Sequence, residues 1–311
     1  MSKHWAIETE NLSKNFDRTR AVDNVSLRVA EGEIYAFLGL NGAGKTTTMR
    51  MLLGMIKPTA GRASILGMPV AASSGTAWAS VGYLIEQPRH YPELTVRQNL
   101  EATRRLRPST PQKNRDAIIE RLGLQQYADT RADRLSQGNA QRLGIARALM
   151  HRPEVLLLDE PINGLDPAGI IEIRALLQEL AEKEHVTIFL SSHILAEVAR
   201  IAQRIGIIHQ GQLIRELDRA ALLGERRKKL VIRVADPARA GQILENLGHP
   251  FTLVGEGLLT LAGKDAITDP HEINRQLVLA DCPPSQLSCQ EEDLETYFLR
   301  LISPAKGPHD A

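Results

Sequence analysis

The chain has 311 residues, 43% apolar and 24% charged, with 38 Lys plus Arg against 37 Asp plus Glu and a net charge of +1. That composition excludes a disordered or collagen-like chain and supplies enough apolar surface for one large domain and a smaller one. The balanced charge and 4% aromatic content argue against a nucleic-acid partner, and Cys282 and Cys289, too few for a disulfide framework or a zinc cluster, read as reduced thiols.

The opening residues, Met1-Ser2-Lys3-His4-Trp5, lack the apolar core of a signal peptide, and no apolar run approaches the roughly 20 residues of a membrane helix. A cytoplasmic chain is expected, with any membrane work left to a partner. Residues 1–67 read as short strands with turn breaks. Residues 25–29 alternate, Glu31-Gly32 turns, and Ile34–Leu38 is a continuous apolar strand that ends at Gly39. A helix is predicted over 45–55, stopped by Lys57-Pro58-Thr59-Ala60-Gly61.

Between that strand and helix, Gly39-Leu40-Asn41-Gly42-Ala43-Gly44-Lys45-Thr46 matches G-x-x-x-x-G-K-[ST]. Glycines let backbone N–H groups turn inward around an anion, and the helix start adds unpaired donors. Lys45 can reach the β- and γ-phosphates, and Thr46 can hold Mg²⁺ through its hydroxyl, with Thr47 beside it in the same turn. The loop fits nucleotide kinases, GTPases and ATPases alike. The absence of a guanine-reading Asn-Lys-x-Asp motif weakens the GTPase reading.

Residues 92–150 are helical in pattern, with Ala117, Ile118, Leu122 and Leu124 as one apolar face. Next, Val155-Leu156-Leu157-Leu158-Asp159-Glu160 is an apolar strand ending in two carboxylates. Such a strand end points into the ligand crevice of a parallel sheet. Asp159 is a Mg²⁺ ligand candidate, and Glu160 can polarise a water attacking the γ-phosphate. A helix over 169–184, a strand over 186–190, a helix over 194–203 and a hairpin of 205–209 with 212–215 follow. Apolar strands alternating with helices predict a parallel sheet covered on both faces.

The charged run Glu225-Arg226-Arg227-Lys228-Lys229 reads as a solvated joint, with a basic patch near lipid as the other reading. Strand 230–234, helix 238–247, strands 251–254 and 258–261 and helix 271–279 make a small α+β module, ferredoxin-like if a strand follows near Gln286. A last helix is predicted over 291–302.

Leu135-Ser136-Gln137-Gly138-Asn139, followed by Gln141-Arg142-Leu143, resembles the signature motif of ABC-transporter ATPases. Gln137 and Asn139 depart from its usual L-S-G-G-Q form. Asn163-Gly164-Leu165-Asp166 resembles the D-loop of that family, and His193, after Leu190-Ser191-Ser192, its switch histidine. Phe16 matches the aromatic that stacks on adenine. Taken singly, Phe16 reads as core and His193 as a capping or core residue; it is their order along residues 3–220 that carries the likeness. Gly82-Tyr83-Leu84-Ile85-Glu86-Gln87-Pro88 resembles the Q-loop, with Glu86 or Gln87 toward the metal. Glu86 together with Glu160-Pro161-Ile162-Asn163-Gly164-Leu165-Asp166-Pro167 resembles bacitracin and lantibiotic exporter ATPases.

The resemblance implies a RecA-like P-loop core with an antiparallel β subdomain, a helical subdomain at about 88–152, an ATPase domain over 1–224 and an accessory α+β module over 225–311. It implies ATP and Mg²⁺ as cofactors. The expected cofactor contacts are Phe16, residues 39–47, Glu86, Ser136, Gly138 and Asp166, and the expected metal contacts are Thr46, Asp159 and Glu86. Glu160 and His193 are the expected catalytic pair. Two ATPase subunits would enclose two ATP molecules, with Ser136 and Gly138 meeting the nucleotide of the other subunit. A separate permease would hold the pair at the inner face of the membrane and carry cargo outward, a peptide antibiotic, a drug or a similar amphipathic molecule. A soluble ABC ATPase acting on ribosomes or nucleic acid, and a purely regulatory cassette, are the competing readings.

Overall fold

The computed structural model describes residues 4–70, 77–86, 88, 90–107, 110–255 and 257–302. The chain divides into two compact units, one up to Arg219 and one from Ala220. In chain order the first contains β1 (Trp5–Phe16), β2 (Thr19–Ala30), β3 (Ile34–Leu38), α1 (Lys45–Leu52), β4 (Ala60–Ile65), β5 (Met68–Pro69), β6 (Val81–Leu84), α2 (Val96–Arg105), α3 (Lys113–Arg121), α4 (Gln137–Leu149), β7 (Val155–Asp159), α5 (Pro167–Glu184), β8 (Thr187–Ser192), α6 (Leu195–Val198), β9 (Arg204–His209) and β10 (Gln212–Asp218).

Two sheets organise this unit. The larger has the order β10-β9-β3-β8-β7-β6, parallel except for β10, which pairs antiparallel to β9 as the second half of a hairpin. Strands β3, β7 and β8 are buried along their whole length, as strands covered on both faces must be. The smaller sheet, β2-β1-β4-β5, is antiparallel. This is the RecA-like architecture with its antiparallel β subdomain. The long hairpin of β1 with β2 replaces the several short strands read from the sequence. Interruptions of its register around Leu12 and Lys14 break the alternation that would have marked one strand.

Tyr35 and Phe189 lie opposite each other on β3 and β8, with rings stacked at 5.4 Å and 5° between planes. Phe37 tilts onto the same Phe189 ring, also at 5.4 Å, and all three are fully buried. The helical face expected from Ala117, Ile118, Leu122 and Leu124 is made by Ile118, Ile119, Leu122 and Leu124 instead, and Ala117 is exposed. The helix predicted over 194–203 reduces to the single turn of α6, after which the chain turns toward β9.

The second unit continues with α7 (Arg219–Gly224), β11 (Lys228–Arg233), α8 (Pro237–Asn246), β12 (Phe251–Leu253), β13 (Leu258–Leu261), α9 (Lys264–Thr268), α10 (Pro270–Leu279), β14 (Gln286–Glu291) and α11 (Leu294–Ile302). The division into the two units falls after Arg219, at the first residue of α7. The basic run is exposed apart from the half-buried Arg226, but it is not a free joint, because Lys228 and Lys229 already belong to β11. Its charge is met by β14 and the residue after it. Arg226 and Lys228 both pair with Glu291 at 3.2 Å, and Arg226 Nε donates to the Glu292 carbonyl at 2.6 Å. The antiparallel order β12-β13-β11-β14 is that of a ferredoxin-like sheet. Leu230, Ile232, Leu259 and Leu261 pack with Leu244, Ile273 and Leu277 in a core of its own.

The stacked ring column sets a stability contrast. Phe189→Ala leaves a ring-sized cavity under Tyr35 and Phe37 and should lower unfolding free energy by about 3–5 kcal/mol in denaturant titration. Ile171→Ala, on the exposed side of α5, should change it by less than about 0.5 kcal/mol.

Candidate active site

The site forms where β3, β7 and β8 end side by side. Gly39 follows β3, and a Cβ there would meet the Ile208 carbonyl at 2.6 Å. Gly44, with φ 110°, caps α1 in a conformation open to glycine, and a Cβ would strike the Ala21 carbonyl at 2.5 Å. Leu40, Asn41 and Gly42 are exposed at the turn, Ala43 is buried, and Thr47 is half-buried in the first turn of α1. The loop thus wraps closely against β9 while its tip stays open.

Lys45 is only 6% exposed yet carries a charge, so it needs partners. Its Nζ donates to the Gly39 carbonyl at 2.7 Å and lies 3.4 Å from Glu160 Oε1. Thr46 Oγ1 donates to Asp159 Oδ2 at 2.7 Å. Ser191, at the end of β8, donates its hydroxyl to Asp159 Oδ1. The same Ser191 oxygen accepts from the Glu160 backbone N–H at 3.1 Å. The buried Asp159 carboxylate is therefore held by a hydroxyl on each oxygen. His193 Nδ1 donates to Glu160 Oε2 at 2.9 Å, with its ring 41% exposed. Glu160 itself has φ 51°, a left-handed conformation that a non-glycine residue adopts at a cost of roughly 1–3 kcal/mol.

Lys45, Thr46, Asp159, Glu160 and His193 thus converge, as read from the sequence. Other candidates stand apart. Ser136 caps α4, its hydroxyl accepting from the Asn139 N–H at 3.3 Å, and is exposed; Gly138 follows in the first turn, half-buried. Asp166 caps α5 through the Gly169 N–H at 2.9 Å. Phe16 ends β1, 44% exposed, with the Lys14 ammonium 5.0 Å above its ring. It is a surface ring and not a core residue. Glu86 pairs with Arg50, in the last turn of α1; the hydrogen bonds described for it go there, not to Thr46 or Asp159. Gln87 lies outside the described residues.

Two partners of the acid pair escaped the motif reading. Ser191 is the penultimate residue of β8, after the apolar Ile188, Phe189 and Leu190. Gln141, in the second turn of α4, is 5% exposed and donates to the carbonyls of Glu160 and Pro161, each at 3.1 Å. A polar side chain amid Leu143, Ile145 and Ala146 was the available signal, since a buried amide needs partners.

Beside Glu86 opens a groove of about 910 Å³, lined by Arg50, Trp78, Tyr83, Leu106, Arg107 and His151 among others. The His151 Nε2–H donates to the Val81 carbonyl at 3.1 Å, and its Nδ1 is buried without a hydrogen-bond partner among the described residues.

Comparison with known proteins gives a consistent result. The family model described as ABC transporter matches residues 22–163. The bacitracin transport ATP-binding protein BcrA of Enterococcus faecalis is 40% identical over 304 residues, 97% of this chain and 98% of the relative. Its counterpart in Bacillus licheniformis is 38% identical over 298 residues, 95% and 97%. Among solved structures, a dimeric ATP-binding cassette in a post-hydrolysis state bound to ADP and Pi superposes with a TM-score of 0.64 at 27% identity, over 68% of this chain and 98% of the other. A bacterial Atm1-family exporter with ATP bound gives 0.64 at 26% identity, over 72% and 40%.

The groove histidine gives this unit a pH signature. Burial, and then the nearby Arg107 guanidinium, push the His151 pKa from 6.5 down to about 4. The folded state therefore holds the neutral ring while the unfolded chain takes up a proton near 6.5. Stability from this group is complete above that value and is lost as pH falls toward about 4. His90, also pushed down by burial, acts in the same direction. His151→Gln should flatten the fall of Tm between pH 6.5 and 4, leaving the share due to His90. Identical slopes in the two proteins would exclude His151 as a source.

Proposed function

The chain belongs to the ATP-binding, ATP-hydrolysing subunits of the ABC transporter family that power export, and from that membership we propose a motor of two such subunits on a separate membrane permease. Its cargo is a peptide antibiotic of the bacitracin type or a similar amphipathic molecule. The near full-length likeness to two bacitracin transport subunits supports this cargo class. The same likeness disfavours a soluble ATPase working on ribosomes or nucleic acid. Among the described residues no helix is long and apolar enough to cross a membrane, in keeping with attachment to the inner membrane face through the permease.

The observation that carries the chemistry is the convergence of Lys45, Thr46, Asp159 and Glu160 at one crevice. The cradle of backbone N–H groups and Lys45 binds the phosphates of ATP, and Lys45 exchanges its carbonyl contacts for phosphate oxygens. The Thr46 hydroxyl and Asp159 carboxylate are hard oxygen donors, and their contact fits a Mg²⁺ that keeps most of its shell on water and phosphate. Mg²⁺, when bound, neutralises charge on the β- and γ-phosphate oxygens. Glu160 accepts the hydrogen bond of the attacking water, and His193 holds the Glu160 carboxylate in place. Ser136, exposed on one subunit, and the half-buried Gly138 after it serve the γ-phosphate bound by the other. Phe16 offers its exposed face to adenine. Glu86 acts through Arg50 on the groove, where an amphipathic segment of the permease with apolar and acidic residues fits the Trp78, Tyr83, Arg50 and Arg107 lining.

Glu160→Gln should keep ATP binding and slow hydrolysis by on the order of a hundredfold or more. ATP and Mg²⁺ should then hold a stable dimer on size-exclusion chromatography; a monomer with wild-type turnover refutes the assignment. Lys45→Ala should weaken ATP binding in the single subunit by a few kcal/mol, whereas Ser136→Ala should leave that affinity nearly intact and impair turnover of the dimer. Mixing these two variants should restore at most one of the two composite sites. Equal loss of single-subunit affinity would rule out the cross-subunit arrangement.

A further inference from the structure

The end of β7 is held from an unexpected side. Glu160 leaves the strand in a left-handed conformation, φ 51°, that no glycine relieves. Its N–H is taken by Ser191, from β8. Its carbonyl, and that of the buried Pro161 after it, both accept from one side-chain amide, Gln141 Nε2, at 3.1 Å each. A glutamine NH₂ has two donors, and here one goes to each carbonyl. One turn earlier on the same helix face, the side chain of Gln137 fills the space beside Gly164, 2.5 Å from where a Cβ would stand. Gly164 can leave that space open and can adopt its φ of 76°. The first two turns of α4 therefore grip the segment from Glu160 to Gly164 at two points. That same helix begins at the exposed Ser136.

We propose that Gln141 is a positioning residue for ATP hydrolysis: its amide fixes the backbone from which the Glu160 carboxylate projects, and so ties the helix that starts at Ser136 to the catalytic acid of its own subunit. The inference rests on the role of Glu160 given above. Without the amide, the buried Pro161 carbonyl loses its side-chain donor and the Glu160 carbonyl keeps only the Asn163 N–H, at 3.1 Å, so the left-handed turn at Glu160 is held less firmly. The carboxylate then moves from the line of the attacking water, while the phosphate cradle on β3 and α1, which Gln141 does not touch, keeps its shape. Because Ser136 is set to meet the nucleotide of the other subunit, displacement of α4 there would reach Glu160 through the Gln141 amide.

The test uses the full chain with Gln141→Met, similar in length and without a donor, and Gln141→Glu, the same shape with acceptors facing two carbonyls. Steady-state ATPase assays should show kcat reduced roughly ten- to a hundredfold with KM and the ATP dissociation constant within about twofold of wild type. In single-turnover measurements on the Glu160→Gln background, Gln141→Met should add no further loss, since the group it positions is already disabled. Unchanged kcat, a multiplied loss in the double variant, weakened ATP binding in step with kcat, or failure of both Gln141 variants to fold would each overturn the proposal. Glu160→Gln alone separates the two levels. Wild-type turnover there removes the role of Glu160 itself, whereas a slow Glu160→Gln beside a normal Gln141→Met removes only the positioning role.

Discussion

The hydrogen bond from Thr46 to Asp159 joins the two halves of the site. One half is the turn that follows β3, the other the carboxylate pair that ends β7, with β8 lying between these strands in the sheet. A buried carboxylate is tolerated only with partners, and Asp159 finds them in Thr46 from one side and Ser191 from the other. The parallel order of β3, β8 and β7 brings all three residues to the same edge. The apolar sheet core, with its Tyr35, Phe37 and Phe189 rings, therefore exists in a form that sets hydroxyl, carboxylate and ammonium groups within hydrogen-bond reach.

Those features that depend on short spacing were legible in the sequence. The phosphate loop, the acid pair and their placement after buried strands follow from motif and hydrophobic pattern, because each is encoded within a few residues. The order of motifs carried the family resemblance, which covered the rest. Features that depend on what another segment does were not legible. Glu86 meets Arg50 because α1 presents its last turn there. Ala117 yields its place to Ile119, two residues on, because the packed side of α3 is turned so that Ile118 and Ile119 are both buried. Arg226 and Lys228 read as a solvated run only while Glu291 and Glu292, far along the chain, are out of view. Gln141 was quoted as part of a motif, but its task became visible only when the two carbonyls it meets were in place.

The unit from Ala220 onward has its own apolar core and a four-stranded sheet, while Leu253, Val254, Val278, Leu279 and Leu299 remain exposed on its surface. Several of its charged groups are tied into local pairs, such as Arg300 with Glu292 and Arg275 with Glu272. Among the described residues it offers no cluster of three or more potential metal ligands. Chemistry is concentrated in the first unit, at a single sheet edge.

The backbone of Glu160 shows what catalysis asks of the fold. At φ 51° this position suits glycine, or asparagine and aspartate, better than glutamate. A chain selected only for persistence would drift toward one of those residues and gain stability by doing so. Against that backbone cost stand the contacts of its carboxylate with Lys45 at 3.4 Å and His193 at 2.9 Å, so position 160 is where local backbone preference and the needs of the site pull the sequence in opposite directions. In a lineage that loses its transport task, the left-handed backbone favours replacing this residue while the buried Lys45 beside it opposes the change, whereas the glycines of the phosphate loop are needed by the turn itself and would persist.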